Sequence, residues 1–198
     1  MILVSRAYNP ERKHGKMFSL WIFCSCTGRP FILLYGRNFG MELKSHCRER
    51  FEPAVDAVRQ LLEEKKDSDE PLLAAIDGRC GSGKTTLGVY LKQVFDCNLF
   101  RMDDFFLRME QRTPERLREV GGNVDYERFE RTVLRPLLQK EMICYQPFSC
   151  QKWGLLNAYS IPYKRLNIIE GSYSMHPYFK NPYHVRIFLN ISPEDQLA

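Results

Sequence analysis

At 198 residues the chain suits a single domain with a sizeable core. Its 44% hydrophobic and 27% charged residues exclude a disordered or fibrous chain. The formal net charge of +5 sits in residues 1–40, where Arg6, Arg12, Lys13, Lys16, Arg29 and Arg37 face Glu11 alone; residues 41–198 balance, so no nucleic-acid surface is expected there.

Phe18–Cys26 and Phe31–Tyr35 are apolar but far short of the roughly 20 residues that span a bilayer, so no membrane segment is expected. The long, mostly polar stretch before the first run argues against a signal peptide. No helical or strand period persists through residues 1–40. They read either as a small appended element or, preferably, as sequence upstream of a functional start at Met41, outside the fold. Seven cysteines without a CxxC pair fit reduced thiols and a cytoplasmic location.

Residues 41–71 read as an N-terminal helix and linker. Phe51, Val55, Val58, Leu61 and Leu62 recur at helical spacing between Arg48 and Lys66, with Pro53 expected near the first turn. A main domain is expected from residue 72 to 198. Leu72–Ile76 is an apolar run of buried-strand length, followed by Gly78-Arg79-Cys80-Gly81-Ser82-Gly83-Lys84-Thr85-Thr86 and then a helical period. Gly78 to Thr85 fits GxxxxGK[ST], the phosphate-binding loop. Inward-turned amides and a helix N-terminus attract anions, Lys84 can reach terminal phosphates, and the Thr85 hydroxyl can ligate Mg2+. The chain is therefore expected to bind a nucleoside triphosphate.

Leu87, Leu91, Val94 and Phe95 are the expected buried face of the following helix. Asn98–Met102 reads as a second strand leading into Asp103-Asp104-Phe105-Phe106, where an open α/β sheet binds ligands. Asp125 should cap a helix bearing Phe129, Val133, Leu134, Leu137 and Leu138, with Pro136 disturbing its hydrogen bonds. Glu141–Tyr145 and Ser160–Arg165 read as hairpin strands, and Leu166–Ile169 as a buried strand ending at Glu170, a carboxylate placed to hold magnesium. His176 and His184 are expected in structural roles. Val185–Asn190 reads as a further strand at an exposed sheet edge. Ser192-Pro193-Glu194-Asp195 is a helix start, and the chain reaches Ala198 barely a turn later, so a truncated C-terminus is expected.

With the phosphate loop, Met102-Asp103-Asp104-Phe105-Phe106, Asn123-Val124-Asp125 and Ile169-Glu170-Gly171 in this order, the chain resembles the uridine kinase and phosphoribulokinase-like P-loop kinases over about residues 50–198. The resemblance implies a three-layer α/β fold with a mostly parallel sheet, ATP and Mg2+ as cofactors, and a small-molecule hydroxyl as acceptor. It implies Asp103 as catalytic base, Phe106 facing the acceptor and Tyr145 over a nucleoside base. Uridine kinases carry a His five positions after that Tyr; here Cys150 stands there. An arginine-bearing lid is expected beyond Ala198. Phosphotransfer to a nucleoside is the preferred reading, with Lys84 and Asp103 catalytic; the alternatives are another small alcohol, such as a vitamin or sugar phosphate, and a nucleotide switch or ATPase without an acceptor. Asp104 is expected to orient an arginine or cap a helix.

Overall fold

The computed structural model describes residues 2–6 and 39–192. In chain order its elements are β1 (Ile2–Arg6), α1 (Phe39–Glu64), β2 (Leu72–Gly78), α2 (Lys84–Val94), β3 (Cys97–Arg101), α3 (Pro114–Arg118), α4 (Tyr126–Phe129), α5 (Arg135–Leu138), β4 (Ile143–Tyr145), β5 (Phe148–Ser149), β6 (Gly154–Leu155), β7 (Tyr159–Ile161), β8 (Leu166–Glu170) and β9 (Val185–Leu189). Five strands form one sheet in the order β1-β9-β2-β8-β3. All neighbours run parallel except β1 on β9, giving the expected mostly parallel α/β sheet.

Side-chain alternation along β2 divides the core. Leu72, Ala74 and Ile76 face a cluster with Phe51, Val55 and Val58 of α1 and Leu87 and Leu91 of α2. Leu73 and Ala75 point the other way, to Phe100, Phe105, Phe129, Val133 and Ile169. A strand covered on both faces is mostly apolar, and for that reason β2 begins with five consecutive apolar residues; β8 is interrupted by the buried Asn167, whose amide is hydrogen-bonded to Asn98 and the Lys164 carbonyl.

Residues 1–40 were expected outside the fold, yet β1 pairs with β9 over five residues, and Ile2 is 4% exposed in the first cluster. The same pairing overturns the exposed edge expected at Val185–Asn190. Ile2–Arg6 is too short to carry a pattern of its own; only a partner strand makes it one. Residues 7–38 and the helix start at Pro193–Asp195 lie outside the described residues.

The first helix begins at Phe39, so Pro53 falls inside it rather than in its first turn. The apolar period starts only at Phe51 and could not mark the earlier start. Val94 and Leu138, expected on buried faces, are 41% and 50% exposed; each sits at its helix's last position, where the stripe runs past the core. Asp125 caps α4 by accepting from Arg128 N at 3.1 Å. Between α4 and α5, Glu130–Leu134 forms a π turn, the disturbance expected upstream of Pro136, which has no N–H to give. The expected hairpin forms as β4 on β7, with β5 on β6 inside it.

Candidate active site

Three strands, β2, β3 and β8, end side by side, and their carboxyl ends carry the candidate residues. β2 runs into the phosphate loop and α2 starts at Lys84, the strand–loop–helix arrangement expected from the motif. Gly78 has φ 141°, and a Cβ there would run into the Leu189 carbonyl oxygen of β9, so only glycine fits. Gly83, at φ 92°, opens α2 from the left-handed region. Lys84 Nζ donates to the Gly78 and Arg79 carbonyls at 2.9 and 2.8 Å, spanning the loop it follows. The Ser82 hydroxyl is buried in the loop and, among the described residues, has no hydrogen-bond partner, an orphaned donor beside the loop amides. These features fit a bound polyphosphate. Arg79, Cys80 and Gly81 are exposed at the loop's crest.

Asp77, which sequence reasoning passed over, holds the loop in register. Its carboxylate accepts from Gly78 N at 2.7 Å, Tyr173 N at 3.2 Å and Met175 N at 3.1 Å, tying the loop to the turn after β8. A carboxylate that receives three backbone N–H groups pins both segments.

Eighty-five positions apart, Thr85 and Glu170 meet. The Thr85 hydroxyl donates to the Glu170 carboxylate, 3.2 Å from Oε1 and 3.3 Å from Oε2. Gly88 on α2 leaves room for this, since a Cβ there would press on Glu170 Cγ and Leu99. Glu170 is 1% exposed, and burial, reinforced by the charge of Asp103, raises its pKa above the usual carboxylate range; the Thr85 bond, Arg101 and Lys84 pull the other way. Arg101 Nε lies 3.6 Å from Glu170 Oε1. Among the described residues no three His, Cys, Asp or Glu side chains gather to hold a metal by themselves. A magnesium ion here would be held by Thr85 and Glu170 together with phosphate and water oxygens, as is usual for that cation.

Asp103 lies in a short 3-10 turn, Met102–Asp104, directly after β3, and is exposed. Asp104 turns away from it. Its carboxylate accepts from the Tyr145 hydroxyl at 2.7 Å, so it orients a tyrosine where an arginine or a cap was expected. An arginine does reach Asp104, but at its backbone: Arg128 donates to the Asp104 carbonyl at 3.1 Å, the Gln146 carbonyl at 2.6 Å and the Asp125 carboxylate at 3.2 Å. Arg128 is 6% exposed and lies over the Phe105 ring at 4.2 Å. It clamps the segment after β3 to the hairpin, a role with no local sequence signal.

Tyr145 does not present a stacking face. It is 3% exposed, packed 5.7 Å from Phe100 and 5.4 Å from Phe105, and burial raises its pKa. An inward hydroxyl partner and an aromatic core cover it, against the expectation that it lies over a base. Tyr159, 53% exposed and 5.5 Å from Tyr145, offers the open ring instead. Phe106 is half-buried, bridged to Val124 and edge-on to Phe148 at 6.4 Å. Cys150 is exposed on the hairpin. Of the two histidines, His176 stacks on Tyr126 at 4.8 Å with a ring nitrogen 2.9 Å from the Val120 carbonyl, and His184 Nδ1 accepts from Leu73 N at 3.3 Å.

The chain is similar in structure to a possible uridine kinase from Bacillus stearothermophilus, with 19% identity and a TM-score of 0.52 over 65% of this chain and 76% of that one. The chain shares the α/β fold of that structure. A candidate fructose transport system kinase from Silicibacter sp. TM1040 matches with 26% identity and a TM-score of 0.49, over 68% of this chain and 65% of that chain, just under two thirds of its length. No protein-family profile matches the sequence, and no curated protein is similar to it. Among the described residues no helix is long and apolar enough to cross a membrane.

Proposed function

We propose that this chain transfers the γ-phosphoryl group of ATP to a hydroxyl of a small molecule. The observation that carries the reading is the meeting of Thr85, at the start of α2, with Glu170, at the end of β8, while the exposed Asp103 follows the end of β3 beside them. Phosphoryl transfer needs positioning and charge neutralisation more than covalent help. Loop amides and Lys84 bind the β- and γ-phosphates. Thr85 and Glu170 hold magnesium, which when bound supplies neutralising charge on the phosphate oxygens. Asp103 takes the proton of the acceptor hydroxyl. Its exposure leaves it open to an acceptor, whereas Asp104 is engaged by Tyr145.

A nucleoside acceptor remains the first choice, stacked on Tyr159 and edged by Phe106. The burial of Tyr145 favours a second reading, an acceptor without a base, such as another small alcohol. A screen of nucleosides, sugars, sugar phosphates and vitamin alcohols with ATP, read by ADP release, separates them. Nucleoside turnover supports the first reading and turnover restricted to base-free alcohols the second. Lys84→Ala tests the nucleotide half: losing charge-assisted bonds to phosphate should weaken ATP binding about a hundredfold. The fold should hold, because the ammonium contributes only two bonds to loop carbonyls. A folded variant with native ATP affinity sinks the assignment.

A further inference from the structure

We infer that Arg101 is the arginine that meets the transferring phosphoryl group, so that the end of β3 supplies this charge from within the sheet. The inference rests on the phosphotransfer reading above. Arg101 pairs in register with Glu170 across β3 and β8, and its backbone N–H donates to the Tyr145 hydroxyl at 3.3 Å, so its main chain is held from both sides. Its side chain is not. It is 46% exposed against 2% for the Glu170 side chain, and among the described residues it forms no hydrogen bond, only the 3.6 Å ion pair to Glu170 Oε1.

That oxygen also receives the Thr85 hydroxyl. The guanidinium and the start of α2 therefore approach the same atom, beside the phosphate loop. Two residues further on, Asp103 occupies the acceptor side. A fixed backbone carrying a five-donor fork held by one long ion pair, close to Thr85, Glu170 and Asp103, suits the neutralising of a phosphoryl group in flight.

Four other arginines between β3 and β8 are engaged elsewhere. Arg116 is bound by Glu127 at 2.7 and 2.8 Å, and Arg128 by Asp125 and two carbonyls. Arg108 pairs with Glu110 and Gln111, and Arg112 donates to the Leu107 carbonyl while lying over Trp153 at 5.2 Å.

In the transfer, the acceptor oxygen bonds to the γ-phosphorus as the bond from phosphorus to the β,γ-bridging oxygen breaks. That electron pair leaves on ADP and the hydroxyl proton passes to the Asp103 carboxylate. Arg101 makes and breaks no covalent bond; it offsets charge on the equatorial oxygens. Glu170, with Thr85, would hold a magnesium ion, which would supply neutralising charge there and leave the Arg101 guanidinium to face phosphate.

The test uses the full chain, MgADP and aluminium fluoride, an anionic mimic of the phosphoryl group in transit, with affinity read by calorimetry and folding by thermal melting. Fluoride should tighten MgADP binding to the native chain. Arg101→Ala should keep MgADP affinity within about twofold yet lose about tenfold or more of the fluoride gain, and Arg101→Lys, which keeps the charge without the fork, should recover part of it. A full fluoride gain in Arg101→Ala, with only the melting temperature changed, makes Arg101 a counter-ion of Glu170 and overturns the inference. A native chain that binds MgADP but gains nothing from fluoride overturns it too and leaves nucleotide binding standing. A native chain that binds no MgADP removes the phosphotransfer reading and the inference together.

Discussion

The proposed nucleotide half of the cleft is a run of nine consecutive residues, Gly78–Thr86, whose internal bonds span three to six positions, from Ser82 to the Arg79 carbonyl and from Lys84 to the Arg79 and Gly78 carbonyls. The acceptor half is gathered from the end of β3, α4 and the β4–β7 hairpin, by bonds such as Arg128 to Asp104 and Tyr145 to Asp104 that span 24 and 41 positions. On the proposed reading the nucleotide half would bind mostly through backbone amides, which every residue has, so its signature is glycine spacing with Lys84 and Thr85 at its end. The acceptor half would bind through side chains, and which of them face the cleft depends on how the crossover between β3 and β8 folds. One half is therefore set locally and the other by tertiary packing.

The sharpest way to break this division is at Asp103. Asp103→Asn should lower turnover about 10²–10⁴-fold with nucleotide affinity unchanged. Asp104→Asn should be milder, because an amide there still accepts from Tyr145. Steady-state kinetics beside nucleotide titration reads both, and the reverse ranking would move the base to Asp104. Arg128→Met attacks the acceptor half alone. It strands the Asp125 carboxylate, whose side chain is 3% exposed, and two carbonyls, a loss of about 3–5 kcal/mol and roughly ten degrees of melting temperature. If the halves are independent, ATP affinity at a temperature where the variant is folded stays native; a parallel fall would show that they are one unit.

A chain beginning at Met41 lacks β1. It loses the burial of Ile2, about 1.5–3 kcal/mol, and uncovers the edge of β9, so melting should fall by about five degrees. An unchanged melting curve would return residues 1–40 to the status the sequence suggested.

The smallest effect is at His184, on the sheet's other end. Burial lowers its pKa from 6.5 despite Glu70 at 4.0 Å, and the neutral ring accepts from Leu73 N. The unfolded chain takes up this proton first as pH falls. The contribution is therefore complete above pH 6.5 and lost progressively below it. Melting temperature should decline from neutrality toward about pH 5, and His184→Asn should flatten that part of the profile. Equal slopes in both proteins would remove the histidine from the account.

Much of the framework was legible. Leu72–Ile76, Leu166–Glu170 and Val185–Leu189 are strands where their apolar residues concentrate, because strands packed between two layers are mostly hydrophobic. Asp125 at the start of α4 and Pro136 after the π turn act through bonds to near neighbours, and their effects were readable for that reason. Tyr145 was misread for the converse reason. An aromatic in a hairpin has the same signature whether its ring faces a ligand or Phe100 and Phe105, and only packing distinguishes the two.

The sequence by itself determined the phosphate loop, the strand that feeds it and the carboxylates at the strand ends, because these follow from backbone geometry and from periodicities of two and of 3.6 residues. Tertiary structure alone decided that Thr85 meets Glu170, that Arg128 is buried as a clamp while Arg101 keeps its guanidinium open, and that Ile2–Arg6 closes the sheet. Thr85 and Glu170 stand 85 positions apart, β1 and β9 lie at opposite ends of the described chain, and Arg128 reaches Gln146 and Asp104 across 18 and 24 positions. Such a contact has no local pattern, since its energy is realised only when the chain has paid the entropy of bringing both partners together.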